Sequence, residues 1–163
     1  RVSRDQIEKE KERVYAPVLR KDGIGWKELR AGLCRVMQDY CGEFKSAPIL
    51  QTGLRWIRSI RESEASAAFA RNPHELCRVL ECFTHMTIGE IIMQASLARE
   101  ASSLSLDFKR LDYPEADPPE WNKIVTLRQE DGRVRVGELP MRYWLLPPYA
   151  AGYEENYRKH SEL

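Results

Sequence analysis

Long apolar runs are missing from this sequence of 163 residues, and its apolar clusters are short pieces such as Ile91-Ile92-Met93. A membrane-spanning helix needs about 20 apolar residues, so the sequence predicts no direct membrane span. An excess of charge of one sign is missing as well, because Lys plus Arg number 26 against 25 for Asp plus Glu. With a formal net charge of +1, binding to nucleic acid through net charge is not expected.

Sequence motifs for nucleotide binding and for hydrolysis are also absent. The sequence has no G-x-G-x-x-G and no G-x-x-x-x-G-K, so it has no recognisable glycine-rich cradle for phosphates. It has no G-x-S-x-G nucleophile motif, and it contains only three histidines. We therefore expect no catalytic and no cofactor-binding residue in this chain.

Cysteine and histidine recur on one predicted helix, where they could suggest zinc. His74 and His85 are eleven residues apart, about 16 Å along a helix, whereas the ligands of one zinc ion lie about 2.0 to 2.3 Å from it. This spacing predicts no metal site. All four cysteines lie in helical patterns beside apolar residues, which favours free thiols in a reducing compartment: Cys34, Cys41, Cys77 and Cys82.

Apolar residues at spacings of three and four predict helices through most of the first hundred residues. A charged lead-in helix is expected over Ser3–Tyr15, ended by Pro17. The next helical face consists of Trp26, Leu29, Leu33, Val36, Met37 and Tyr40, and the one after it of Leu50, Leu54, Ile57 and Ile60. Ser46 and Pro48 mark the start of that third helix.

The strongest boundary signal is Asn72-Pro73 followed by Glu75, which predicts a capped helix start. The helix is expected to run to about Arg99, on the order of 40 Å. Its predicted buried face comprises Leu76, Val79, Leu80, Phe83, Met86 and Thr87.

The last third of the chain has a different composition. Six prolines between positions 114 and 148 exclude long helices there, and KIVTL and RVRV flank Glu130-Asp131-Gly132 as in a β-hairpin. The end of the chain is rich in aromatic residues, namely Tyr143, Trp144, Tyr149, Tyr153 and Tyr157. We expect this region to pack on another surface, because two strands are not stable alone.

The predicted fold is mainly α. It is an antiparallel three-helix bundle of the up-down, spectrin-repeat-like kind, with a lead-in helix and an extended proline- and aromatic-rich tail containing a β-hairpin. The expected division is a helical bundle over residues 1–103, followed over 104–163 by a loop, hairpin and tail that pack on the bundle or on a missing domain.

Glu90 and Gln94 are candidates for buried polar residues, since they fall on the same predicted helix face as Leu80 and Phe83. A buried carboxylate needs a hydrogen-bonding or charged partner, and Arg99 is the predicted one. Structural pairing is the expected role. The arginines at 55, 58 and 61 are expected to form a solvated helix face rather than a phosphate-binding patch.

Residues 95–123, ASLAREASSLSLDFKRLDYPEADPPEWNK, resemble the C-terminal helical domain of the fumarate reductase and succinate dehydrogenase flavoproteins, a family that includes adenylylsulfate reductase flavoproteins. The family has an alanine-rich helix with Arg, then Glu-Ser-Arg-Gly, His, Arg, Asp-Tyr/Phe-Pro, Asp and a Trp-Lys pair. The matching residues here are Arg99, Ser102, Arg110, Asp112, Tyr113, Pro114, Asp117 and Trp121. Ala101 and Ser103 depart from the family pattern, which leaves the branch and the substrate open.

The resemblance implies a helical bundle that braces a flavin-binding domain of the same chain, within a protein longer than this sequence. It implies FAD in that full-length protein and none held by this segment. The residues expected at the domain interface are Arg99, Ser102, Arg110, Asp112, Tyr113, Pro114 and Trp121. Asp112 is expected to pair with Arg110 or Arg99, and Arg110→Ala is expected to loosen docking without unfolding the bundle.

The resemblance further implies an iron-sulfur or haem electron-transfer subunit as partner, and a cytoplasmic location, peripheral to the membrane through such subunits. The resulting hypothesis is a non-catalytic C-terminal domain of an FAD-dependent oxidoreductase. Two alternatives from other classes stay open: a stand-alone helical module that binds proteins through the aromatic tail, and a nucleic-acid binder that uses the arginines at 55, 58 and 61.

Overall fold

The computed structural model describes residues 2–130, 133–141, 154 and 158. Within them the principal helices are α1 (Arg4–Leu19), α2 (Trp26–Tyr40), α3 (Ala47–Glu62) and α4 (Pro73–Ala98). The strands are β1 (Phe44–Lys45), β2 (Lys109–Arg110), β3 (Lys123–Glu130) and β4 (Arg133–Pro140). β1 pairs with β2 in parallel and β3 pairs with β4 antiparallel. The predicted mainly helical bundle with a small hairpin is confirmed.

Helices α2, α3 and α4 pack on one another around a single apolar core. The predicted faces of α2 and α3 are confirmed, since their central apolar residues are buried. Core side chains come from all three helices, namely Leu29, Leu33, Val36, Leu50, Leu54, Ile57, Ile60, Val79, Cys82, Met86 and Met93. Burying this stripe from each helix holds the bundle together.

The buried face of α4 differs from the predicted one. It follows spacings of three and four through Val79, Cys82, Met86, Gly89, Met93 and Ser96. Thr87 is exposed, and Leu80 and Phe83 are only half-buried. The prediction is confirmed for Val79 and Met86 and wrong for Thr87. It missed Gly89, which carries no apolar side chain yet lies in the seam: a Cβ built on it would lie 2.9 Å from the Met37 sulfur.

Local residues bear on where α4 begins and where α1 ends. The Asn72 side chain accepts a hydrogen bond from the Glu75 N–H at 2.9 Å, which confirms the predicted cap of α4. α1 continues to Leu19 instead of ending before Pro17. Pro17 lies in the last turn, where it removes one helical hydrogen bond, and its carbonyl accepts the Ala70 N–H at 3.0 Å.

The hairpin β3–β4 pairs Lys123 with Pro140 at one end and Glu130 with Arg133 at the other. Of the turn that the sequence analysis singled out, Asp131 and Gly132 lie outside the described residues, as do the aromatic residues of the tail. None of the helices in the described part of the chain is long and apolar enough to cross a membrane.

Candidate functional site around Arg110

The segment between α4 and β3 folds back over the ends of two helices. Ser103 and Phe108 exchange two backbone hydrogen bonds of 2.8 and 2.9 Å. β2 lies alongside β1, and the Leu111 N–H donates to the Lys45 carbonyl at 2.8 Å. These bonds give the loop a fixed path without a helix of its own.

Arg110 closes the C-terminal end of α4. Its side chain is 1% exposed, and Nη1 donates to the Arg99 carbonyl at 2.7 Å, to the Ser96 carbonyl, and to the Leu97 carbonyl at 3.4 Å. The last carbonyls of a helix have no partner within the helix and carry partial negative charge. A permanently charged guanidinium therefore satisfies and neutralises this helix end.

Asp112 links the same guanidinium to the start of α3. Its two carboxylate oxygens accept from Arg110 Nε and Nη2, each at 2.8 Å, and one of them also accepts the Ala47 N–H at 2.7 Å. The Ser46 side chain makes no capping bond, so the Asp112 carboxylate caps α3 instead. Hydrogen bonding from Arg110, aided by the Ala47 N–H, holds the pKa of Asp112 at about 2.

The pair therefore joins the C-terminal end of α4 to the N-terminal end of α3, as expected for antiparallel neighbours. It matches the charge at both helix ends, since the cation lies at a C-terminus and the carboxylate at an N-terminus. Pairing of Asp112 with Arg110 was one of the two predicted pairings.

Ser102 and Tyr113 support the pair from the loop side. The Ser102 hydroxyl accepts the Arg110 N–H at 2.9 Å and donates to the Tyr113 carbonyl at 2.8 Å. The Arg110 guanidinium lies 5.0 Å from the centroid of the Tyr113 ring. Pro114 is exposed. The hydroxyl thus fixes the backbone on either side of Asp112.

Arg99 lies at the other side of the loop, against the start of the hairpin. Its guanidinium lies 5.7 Å from the Trp121 ring centroid, and Nη1 donates to the Trp121 carbonyl at 3.4 Å. Asp117 is 3.7 Å from Nη2, whereas Nε is buried without a hydrogen-bond partner in the described part of the chain. Hydrogen bonds from the Ser103 hydroxyl and the Leu104 N–H lower the pKa of Asp117 below its usual value.

Arg99 also borders a groove of about 810 Å³ between α4, the loop and the hairpin. The helix end at this groove, with Ser96 and Arg99, is the C-terminal end of α4. The pyrophosphate of a dinucleotide is bound by the free N–H groups of a helix N-terminus, and this end of α4 presents none. The lining is mainly apolar, and the two cations in it are already paired, Arg99 with Asp117 and Lys123 with Glu138. The groove therefore does not fit FAD.

The predicted pairing of Glu90 with Arg99 is wrong. The Glu90 carboxylate, 16% exposed, binds Arg61 Nη1 at 2.7 Å and Arg58 Nε at 3.3 Å. α3 and α4 pack side by side, so the arginine face of α3 reaches Glu90 across the seam, while Arg99 lies more than two helical turns farther along. Gln94 is half-buried.

The histidines and cysteines of α4, which were considered and rejected as zinc ligands, differ in their exposure to solvent. His74, His85 and Cys77 are exposed, whereas Cys82 is buried and its thiol contacts the Trp26 carbonyl at 3.6 Å. In the described ranges no three His, Cys, Asp or Glu side chains are grouped as metal ligands. Burial raises the pKa of the Cys82 thiol, which makes it a poor nucleophile.

Two features of the site were missed by the sequence analysis. One is the N–H of Ala47, 65 positions before its carboxylate partner, and the other is the set of α4 carbonyls that Arg110 binds. Backbone groups leave no trace in residue type. The Arg-x-Asp pair was a signal in the sequence, but Ser46 is itself a favourable capping residue and gave no sign that another side chain caps α3. The burial of Arg110 also alters the expected effect of Arg110→Ala, because the side chain is part of the bundle itself.

Comparison with known proteins places this geometry in a family. A family model described as fumarate reductase flavoprotein C-term matches residues 30–153. A fumarate reductase flavoprotein subunit of Mycobacterium tuberculosis is 26% identical over 126 residues, which are 74% of this chain and 21% of that protein.

Solved structures share the fold. An adenosine-5-phosphosulfate reductase in complex with sulfite matches 86% of this chain and 25% of its own, with a TM-score of 0.78 at 20% identity. The quinol fumarate reductase FrdA of E. coli matches 91% of this chain and 27% of its own, with a TM-score of 0.70 at 19% identity. A chain of the Mycobacterium smegmatis Sdh1 complex matches 97% of this chain and 28% of its own, with a TM-score of 0.68 at 20% identity.

The chain thus spans about a fifth of the length of the curated relative and about a quarter of the solved chains. The family model covers well over half of the chain, from the first third of α2 through the hairpin. The chain belongs to the C-terminal domain family of the fumarate reductase and succinate dehydrogenase flavoproteins.

Proposed function

We propose that this chain is a non-catalytic helical domain that braces the flavin-binding domain of an FAD-dependent oxidoreductase. Residues 1–103 would form the bundle, and residues 104–163 would contact both the bundle and the flavin domain. The interface would lie on the segment from Arg99 to Trp121. FAD would be bound by the flavin domain, and this chain would supply rigidity next to it.

The observation that carries the proposal is the Arg110–Asp112 pair across the ends of α3 and α4. A loop tied to two helix ends cannot shift without breaking charge-assisted hydrogen bonds, each worth about 1.5–3 kcal/mol. Such a loop offers another domain a surface of fixed shape. This is what bracing requires, because an ordered surface loses little entropy on contact.

The charged groups of this segment support a structural role over a catalytic one. A guanidinium does not exchange protons near neutral pH. The pKa of Asp112, at about 2, keeps its carboxylate ionised well below the range that suits a general acid or base. Arg110 and Asp112 are also engaged with each other, and Arg99 faces Asp117.

The family resemblance supports two further elements of the proposal. The partners would be the flavin-binding domain of the same polypeptide and an electron-transfer subunit carrying iron-sulfur or haem. The place of action would be the cytoplasm, with contact to the membrane only through such subunits.

The test uses the natural polypeptide that carries this sequence. We expect it to contain bound FAD, and we expect Arg99→Gln and Asp112→Asn to speed the loss of FAD on heating. The turnover per bound flavin should stay within about twofold of the parent, because neither residue takes part in chemistry. A loss of about 100-fold or more per bound flavin is typical of removing a general acid or base and would contradict the non-catalytic role.

A stand-alone helical interaction module is the second candidate function. The observation that favours it is an outward apolar strip on α4, where Ile88, Ile91 and Ile92 are each more than two-fifths exposed. Patches of this kind mark protein contacts. The flavin content of the natural polypeptide separates the two candidates, since a module of this kind would contain none.

A further inference from the structure

The turn between Ser103 and Phe108 presents two leucines to solvent. Leu104 is 82% exposed and Leu106 is 67% exposed. Leaving a leucine side chain in water is unfavourable by about 25 cal/mol for each Å² of apolar surface, compared with burying it. Two such side chains in a six-residue turn therefore form an unusually apolar tip, which we call the leucine turn.

The leucine turn is held rigidly. Its ends are closed by the paired backbone bonds of Ser103 and Phe108, and the Asp107 N–H donates to the Leu104 carbonyl at 3.2 Å. Asp107 adopts a φ of 45°, a left-handed conformation that Asp tolerates better than most residues. The Asp117 carboxylate accepts the Leu104 N–H at 2.9 Å, which ties the tip to the next part of the loop.

This rigidity bears on binding. A segment whose backbone is already fixed loses less conformational entropy when a partner covers it, so apolar residues on such a segment make effective anchors. The hydrogen bonds around the leucine turn fix the backbone that carries Leu104 and Leu106.

The leucine turn borders the groove of about 810 Å³ described above, and Leu106 belongs to both. Other apolar walls come from Trp121, Ile124 and Met141. The charges along the groove balance, because Arg99 faces Asp117 and Lys123 binds Glu138 at 2.8 Å. A surface with balanced charge and apolar walls suits a protein segment better than a phosphate-bearing ligand.

Arg99 supplies an independent sign that the groove receives another protein segment. Its buried Nε has no hydrogen-bond partner in the described ranges. An unmade hydrogen bond of this kind is unfavourable, and a small shift of the side chain toward a docked carbonyl or carboxylate oxygen would satisfy it.

We propose that the leucine turn and the adjoining groove are the surface on which the flavin-binding domain docks. The inference rests on the proposed function, and it adds the location and chemistry of the contact: an apolar segment with a hydrogen-bond acceptor for Arg99. The occupant follows from length, because more than 70% of each compared relative lies outside the region matched by this chain. The leucine turn lies inside the family-matched region, residues 30–153.

The first experiment compares two serine variants in the natural polypeptide. The test variant carries Leu104→Ser together with Leu106→Ser, and the control carries Leu19→Ser at the end of α1, where the leucine is 79% exposed. Both variants should retain parental helical circular dichroism, since none of these side chains is in the core. The test variant should release FAD at least about tenfold faster in dilute denaturant, and the control at the parental rate.

The second experiment maps the contact directly. A photoreactive benzoylphenylalanine replaces Leu104, and in a separate sample Leu19, and the crosslinked peptides are identified by mass spectrometry. Crosslinks from position 104 to FAD-binding peptides of the same polypeptide would support the proposal. Crosslinks to a second copy of this turn, or none, would overturn it.

The outcomes separate this inference from the proposed function. A natural polypeptide without FAD would refute the proposed function, and the docking surface with it. A polypeptide that binds FAD but releases it at one rate in the parent, the test variant and the control would refute only the docking surface.

Discussion

Arg110→Ala tests the bond network that joins α3 to α4. The variant removes the two hydrogen bonds to Asp112 and those to the carbonyls at the end of α4, and it leaves that carboxylate with the Ala47 N–H. Breaking a buried ion pair costs about 3–5 kcal/mol. Asp112 is 27% exposed and regains some hydration, so we expect a loss of about 3 kcal/mol.

The measurement is the free energy of unfolding from urea denaturation, followed by helical circular dichroism. Arg35→Ala is the matched control, because it removes an Arg–Asp pair of 2.6 Å whose arginine is 75% exposed. An exposed pair contributes at most about 1 kcal/mol, and this control should change stability by less than that. Arg110→Lys should recover only part of the loss, since an ammonium cannot form the two-pronged contact. Equal losses for Arg110→Ala and Arg35→Ala would refute the reasoning.

Three further predictions concern single groups. The pKa of Asp112 is about 2 in the folded protein against a usual 3.8, so the ionised carboxylate stabilises the fold by about 1–2 kcal/mol after allowing for solvent. This stabilisation is present above pH 4 and is lost as the pH falls toward 2. Asp112→Asn should remove this fall in stability from a pH series of melting curves. Gly53→Ala should lower the melting temperature, because its Cβ would lie 2.6 Å from the Tyr40 Cβ, whereas Gly32→Ala meets nothing nearer than 4.0 Å and should be neutral or stabilising. Asn72→Ala should cost about 1 kcal/mol in urea denaturation by removing the cap of α4, and an unchanged midpoint would contradict that role.

The helices of this protein could be predicted from the sequence because their signals are local. The capping residue Asn72, the proline after it and the apolar spacing of α2 and α3 act within a few residues along the chain. The face of α4 was harder to predict, since Gly89 belongs to a seam only because Met37 and Ile57 need the space. Pro17 was likewise taken to end α1, whereas the helix continues past it to Leu19.

The sequence by itself determined which segments are helical, that a hairpin follows, and that an Arg-x-Asp pair lies in the loop after α4. Only the tertiary structure decided what this pair does, because its other partners are backbone groups at the ends of two helices. The carboxylate of Asp112 meets an N–H 65 positions earlier, and such a contact exists only after the helices have packed antiparallel. The exposure of Leu104 was also decided there, since the same leucine would be buried if the loop folded onto the bundle.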